Sequence, residues 1–170
     1  MLKILGLLCV VGSASAVGFG FAAGVRRQAE QLRALQTALG QMKSETAYRM
    51  TPLPELLSQV GADTDGAVGA LFSRCALELR RRTSTVQFAM QTALGHTTGL
   101  SLPQSARRAL LALSGALGKF DVDGQCRAID LARSRVDEAL EDVELASRAR
   151  CRSYRTLGVC TGLAIAVILL

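Results

Sequence analysis

The chain predicts an all-α protein, a cytosolic antiparallel bundle of about six helices whose first and last members continue into N- and C-terminal transmembrane segments. Three observations lead there. No charged side chain occurs from Ile4 to Val25 or from Thr156 to Leu170. Between these ends apolar residues recur three and four positions apart, the period of a helix with one buried face. No stretch alternates apolar and polar residues as a half-buried strand does. The implied divisions are residues 1–25, an N-terminal transmembrane helix, 26–155, a helical bundle domain, and 156–170, a C-terminal transmembrane segment.

At ~1.5 Å per helical residue the first apolar stretch is roughly 33 Å long, enough for a ~30 Å hydrocarbon core. The last reaches only about 22 Å, a shortfall that snorkelling of Arg155 or thinning of the bilayer absorbs. Past Arg26 the pattern turns amphipathic without a breaker, and Leu32, Leu35, Leu39 and Met42 mark the inward face. This first helix is expected to stop near Met50. Thr51-Pro52-Leu53-Pro54-Glu55 reads as the start of a second, with Thr51 as cap, Pro52 in the first helical position and Glu55 at the positive dipole end. Leu53, Leu56, Leu57 and Val60 carry it to Gly61, and a turn over 61–66 follows.

Val68, Leu71, Phe72, Cys75 and Leu79 define a third helix, closed by Arg80, Arg81 and Arg82 where cations suit the C-terminal dipole. A fourth covers about Ser84 to Leu94, with Val86, Met90, Ala93 and Leu94 inward, and ends in a Gly95–Gly99 loop. Ser101-Leu102-Pro103-Gln104 fits a capping box for a fifth helix, which carries Leu110, Leu111, Leu113 and Leu117 to about Lys119. After the Asp121–Gly124 turn, Ala132, Val136, Ala139, Val143 and Ala146 give a long, thin-faced last helix that runs into the C-terminal apolar segment and pairs with the first.

The net charge of +6 includes arginines gathered beside the apolar ends: Arg26 and Arg27 after the first, and Arg148, Arg150, Arg152 and Arg155 before the second. Only Lys3 and the terminal amine precede the first stretch. Because Lys and Arg are retained on the cytoplasmic side of short loops, the bulk of the chain is expected in the cytoplasm and the protein in the cell membrane. Five widely spaced cysteines, Cys9, Cys75, Cys126, Cys151 and Cys160, match neither a secreted disulfide framework nor a zinc ribbon. A competing reading takes Lys3, the apolar run and Ala14-Ser15-Ala16 as a signal peptide, which makes the chain a processed extracytoplasmic helical binding module held by its C-terminal segment. Against it, apolar character continues through Val17, Phe19, Phe21 and Val25 and stops at paired arginines. Gly20 and Gly24 add a GxxxG spacing that allows close helix approach in lipid.

Catalytic patterns are missing. Gly18-Phe19-Gly20-Phe21-Ala22-Ala23 loosely fits a dinucleotide fingerprint, but the βαβ unit it needs is replaced by an amphipathic helix. There is no phosphate loop, and His96 is the lone histidine, placed in a Gly/Thr loop with no acid near it in sequence. Glu138 and Glu141 share a helix face but lack the Glu-x-x-His partner of a bundle metal site. Arg80–Arg82 reads first as a dipole-matched helix end; no aromatic residue interleaves with it as nucleic-acid stacking requires. No enzyme activity, cofactor, metal, small-molecule substrate or nucleic acid is expected.

The linear pattern resembles the stage III sporulation protein AB family of endospore-forming bacteria. The residues that carry the resemblance are Met1-Leu2-Lys3 with a glycine-bearing apolar run, Gln31-Leu32-Arg33-Ala34-Leu35-Gln36 with Ala38-Leu39, then Glu45 and Tyr48 ahead of Thr51-Pro52-Leu53-Pro54-Glu55. Leu71-Phe72, Gly115 to Gly118, Asp121, Gln125, Tyr154-Arg155-Thr156-Leu157-Gly158 and Gly162 complete it. Two departures concern local packing: Met90 stands where a tryptophan is expected, and Phe120 replaces a small residue before Asp121. The resemblance implies a non-enzymatic, membrane-anchored component of the secretion-like channel between mother cell and forespore, on the mother-cell side. It implies a domain similar to the cytoplasmic domains of type II secretion platforms. The expected partners are other membrane components of the channel, a cytosolic ATPase and membrane lipid. Tyr48, Thr51, Pro52, Leu53 and Pro54 are the candidate partner contact, or else simply a rigid corner.

Overall fold

A computed structural model describes the backbone of residues 2–49, 51–81 and 85–169 and the side chains of residues 24–49, 51–81 and 85–146. The described residues form six helices and no strand: α1 (Leu2–Tyr48), α2 (Leu53–Asp63), α3 (Gly66–Arg80), α4 (Val86–His96), α5 (Gln104–Ala116) and α6 (Val122–Leu169). The chain divides into two units, one of residues 27–140 and one of residues 1–26 with 141–170. The second unit is built from the first part of α1 and the last part of α6. The side chains of the expected transmembrane segments lie almost wholly outside the described residues, Gly20 included. Among the described residues no helix is long and apolar enough to cross a membrane. At Gly24 an added Cβ would meet open space.

The bundle over 27–140 is ordered by α1. Leu32, Leu35, Leu39 and Met42 are fully buried, each removal from water contributing about 1.5–3 kcal/mol. Also fully buried in this unit are Leu57 and Val60 of α2, Leu71 and Phe72 of α3, Met90 of α4, Leu110 of α5 and Ile129 and Val136 of α6. Met90 therefore fills a core position with a flexible thioether side chain. Within this unit α6 is antiparallel to α1, because Lys43 Nζ lies 2.7 Å from Asp130 and Gln36 donates to Asp137, a constant register along the pair. Both ladder contacts are solvent-exposed, so each is worth well under 1 kcal/mol and specifies register more than stability. The close approach of the two helices shows at Gly40, where a Cβ would sit 3.8 Å from the Arg133 guanidinium.

Pairing along the rest of the bundle is sequential, α2 on α3, α3 on α4 and α4 on α5. The tightest contact is the α2–α3 corner. A Cβ on Gly69 would lie 1.7 Å from the Thr64 carbonyl oxygen, and one on Gly61 would lie 2.4 Å from Ser73 Oγ and 2.6 Å from its backbone nitrogen. Backbone thus touches backbone, and only glycine fits at either position. Gly61 is inside α2, which extends to Asp63, so the turn shrinks from the expected 61–66 to Thr64-Asp65, and the reason is this packing.

Two expected caps are replaced. Thr51 does not cap α2; Pro52 stands at the N-cap with its carbonyl accepting from Glu55 and Leu56, and Pro54 takes an early helical position. Ser101 and Gln104 form no capping box, because Ser101 uses its backbone N–H on Gln31 and Pro103 becomes the N-cap of α5. α4 begins at Val86, against the expected start near Ser84, and its N-cap is Thr85, whose hydroxyl accepts from the Phe88 N–H at 3.3 Å. α5 ends at Ala116, before Lys119, where Gly118 with φ of 78° turns the chain. α6 begins at Val122, and Asp121 Oδ1 caps it by accepting from the Gly124 N–H. Along α6 burial holds at Ala132, Val136 and Ala139, weakens at Val143 and is gone at Ala146, so the expected stripe is inward only over its first half.

Gly69→Ala should lower stability by about 1–3 kcal/mol or more, because the new methyl collides with backbone. Gly40→Ala should raise it by up to about 1 kcal/mol, because a mid-helix glycine gains helix propensity at ordinary van der Waals distance from its neighbour. Urea denaturation of the two variants checks both signs.

Candidate functional site: the α1–α2 corner and its surroundings

α1 ends at Tyr48 because Pro52 and Pro54 cannot continue it, and the reversal leaves a projecting corner. Tyr48 is 87% exposed, by far the most exposed aromatic side chain described. Pro52 is exposed, and Thr51, Leu53 and Pro54 are half-buried. The five sequence candidates are therefore one contiguous stretch with two outward side chains and three that seat the turn. By the α1–α6 register, the start of α6 lies at the same end, and Phe120 before it is 58% exposed. Gln125 Nε2 donates to the Phe120 carbonyl and fixes that turn. Phe120 thus adds an aromatic side chain to this end.

One polar feature of the corner was not legible in the sequence. Glu45 Oε1 lies 3.5 Å from Arg49, while Glu45 Oε2 is buried without a hydrogen-bond partner among the described residues. Leaving a buried acceptor unmet costs about 1–3 kcal/mol, which makes Glu45 a place where a donor from outside would be rewarded. Thr46 beside it is satisfied locally, its hydroxyl donating to the Met42 carbonyl at 2.8 Å.

At the other end of the bundle a cleft of about 520 Å3 lies among α1, the start of α3 and the α4–α5 connection, lined by Arg27, Glu30, Gln31, Asp65, Val68 and Gly99 among others. Its charges are mixed. Gln31 is structural here: its Nε2 donates to the Gly99 carbonyl at 2.8 Å and its Oε1 accepts from the Ser101 N–H at 2.6 Å. Arg107 completes the fastening through the Leu102 and Leu100 carbonyls at 3.3 and 3.4 Å.

The remaining titratable candidates do not converge. His96 is exposed and is the last residue of α4, which runs two residues into the Gly95–Gly99 stretch expected to be a loop. Glu138 and Glu141 are exposed on α6, and Arg135 pairs with Glu138 at 3.7 Å. Among the described residues no group of three or more His, Cys, Asp and Glu is placed to hold a metal ion. Cys75 is fully buried, and burial, with the Glu78 charge nearby, pushes its thiol up to about 12. It is an inert core side chain, since the thiolate is the nucleophile. Cys126 is only partly buried.

The described residues define an all-helical protein of six helices with no converging catalytic or metal-binding group. The chain belongs to the stage III sporulation protein AB family, whose profile, described as stage III sporulation protein AB, matches residues 3–170. It is 28% identical over 171 residues to stage III sporulation protein AB of Bacillus subtilis (strain 168), with all of both chains covered. It is similar to a solved structure of stage III sporulation protein AB, with a TM-score of 0.66 and 27% identity over 72% of this chain and 97% of that one.

Thiol labelling at pH 8 should modify Cys126 and spare Cys75 until the bundle unfolds. Because the folded-state value of Cys75 lies above its ordinary value near 9, the folded state holds its proton more tightly than the unfolded state. Its contribution to stability is complete below pH 9 and declines as pH rises toward 12. Cys75→Ala should flatten the fall in urea midpoint between pH 9 and 11.

Proposed function

We propose that this chain is a non-enzymatic, membrane-anchored structural component of the secretion-like channel complex between mother cell and forespore during endospore formation, an assembly platform near a partner ATPase. The family match carries the reading, since it runs from residue 3 to residue 170 and so takes in both uncharged ends with the bundle between them. Two charge-free stretches flanked on the bundle side by arginines support insertion of both ends in the cell membrane with residues 26–155 in the cytoplasm. In this reading the bundle works by position. Its exposed Tyr48 and Pro52, on a turn seated by Thr51, Leu53 and Pro54, meet a channel neighbour, and Glu45 accepts a hydrogen bond from it.

The signal-peptide reading retains one observation in its favour, the Ala14-Ser15-Ala16 sequence. Mass spectrometry of the membrane-extracted protein separates the two, with an intact N-terminus expected for the anchor and a start near Val17 for the processed form.

Tyr48→Ala should leave the stability of the bundle within about 0.5 kcal/mol, because the ring is almost wholly in solvent. The same change should reduce spore yield and co-purification of channel components from sporulating cells. Unchanged yield and co-purification would reduce the corner to a structural turn.

A further inference from the structure

Charge is distributed unevenly between the elements of the bundle. From Gly66 to Phe120, the stretch that forms α3, α4 and α5, there are seven Lys and Arg and one acid, Glu78. That excess equals the net charge of +6 of the whole chain, so the remainder is balanced. On α3 it is displayed outward, where Arg74 and Arg80 share an exposed stripe with Leu77.

The cleft among α1, the start of α3 and the α4–α5 connection departs from this pattern. Its charged lining is one cation, Arg27, and two acids, Glu30 and Asp65. A chain that is cationic overall thus has a concave site in which carboxylates outnumber cations. Arg27 and Asp65 line the same cleft, and neither side chain has a hydrogen bond or ion pair with another described residue. Asp65 is the N-cap residue of α3 but makes no cap hydrogen bond, so its carboxylate is not committed to the helix. The apolar lining is small, with Ala34, Ala67 and Val68, which leaves a space of about 520 Å3. That lies inside the range of about 300–1,000 Å3 usual for small-molecule sites. The wall is also preformed, because Gln31 holds the α4–α5 connection at the Gly99 carbonyl and the Ser101 N–H.

We propose that this cleft binds a zwitterion of the phosphoethanolamine type, its phosphate held by Arg27 and its ammonium by Asp65, with Glu30 adding to the negative charge of the site. An anion alone would face two carboxylates and a cation alone would face the guanidinium, whereas a molecule that carries both signs matches the whole lining. A guanidinium takes a phosphate through two parallel hydrogen bonds, and an ammonium offers three N–H donors to carboxylates. A choline group has no such donor and is discriminated against. Because Arg27 and Asp65 do not pair with each other, the ligand has a gap to bridge, which favours charges several bonds apart over the adjoining charges of an α-amino acid. The headgroup of phosphatidylethanolamine and free glycerophosphoethanolamine present this same chemistry. The site belongs wholly to residues 27–140, so the inference is independent of how the chain meets a membrane.

The full-length chain in maltoside micelles is titrated with glycerophosphoethanolamine, and saturation-transfer NMR reads the bound ligand. Saturable binding is expected, at least about tenfold weaker in Asp65→Asn and in Arg27→Gln and weaker with added salt. Asn is as good an N-cap as Asp, so Asp65→Asn removes the charge and keeps the helix start, and circular dichroism confirms that each variant is folded. Arg108→Gln, on α5 and outside the cleft lining, should change little. The source of the ligand is read separately, by mass spectrometry of lipid that stays with the chain after extraction from mixed phosphatidylethanolamine and phosphatidylcholine vesicles. Enrichment of phosphatidylethanolamine that Asp65→Asn abolishes would assign the cleft to the lipid headgroup, and binding of the soluble compound without enrichment would assign it to the free molecule. Absence of saturable binding by either would overturn the proposal. So would equal binding by both cleft variants, or equal competition by glycerophosphocholine or glycine.

Discussion

Burial of a single narrow face of α1 is the constraint from which the bundle over residues 27–140 follows. Leu32, Leu35, Leu39 and Met42 recur at helical spacing on one side of a helix whose other sides are polar, so only one stripe is available for packing. α6 lies antiparallel beside α1, and α2 to α5 pair with one another in sequence order. Polar contacts then select among packings of nearly equal hydrophobic gain. The Lys43–Asp130 and Gln36–Asp137 pairs hold α6 in register, and the Gln31 amide clasps the α4–α5 connection from both its faces. Each contributes little by itself in water-exposed settings, but together they make one arrangement preferable.

Close main-chain contact adds a second contribution at α2 and α3. Where Gly61 and Gly69 bring the two helices together, dispersion between close-packed atoms of the Ser73 and Thr64 backbones adds to the burial of Leu57, Val60, Leu71 and Phe72. This corner positions the start of α3 beside α1. The exposed stripe of Arg74, Leu77 and Arg80 is consequently a result of the same glycine contact that buries Leu71 and Phe72 on the other side of the helix.

Helix number, order and inward faces were legible because they depend on periodicity, which one sequence displays in full. Cap identity was less legible. Thr51 and Ser101 have the right chemistry for caps, but Pro52 and Pro103 take those positions, and Ser101 is drawn away by Gln31, a partner seventy residues distant in the chain. Nothing local marks such a pairing. Gly61 looked like punctuation and is an interior packing residue, since a glycine that breaks a helix and one that admits a neighbour are written alike. Of the candidate corner, the reversal after Tyr48 was readable from its prolines. The unmet Glu45 oxygen depends on what surrounds one atom, and the contribution of Phe120 depends on the register between two helices far apart in sequence.

Segregating all the excess positive charge into α3, α4 and α5 has a bearing on symmetry. Two copies brought together through that lobe would set like charges face to face inside a screening length, so a two-fold contact there is disfavoured unless an anion lies between. Copies that crowd side by side avoid the repulsion by placing the lobe of one against the electrically balanced flank of the next. Such contacts are heterologous, and they give a closed ring or an open filament according to whether the rotation between successive copies closes.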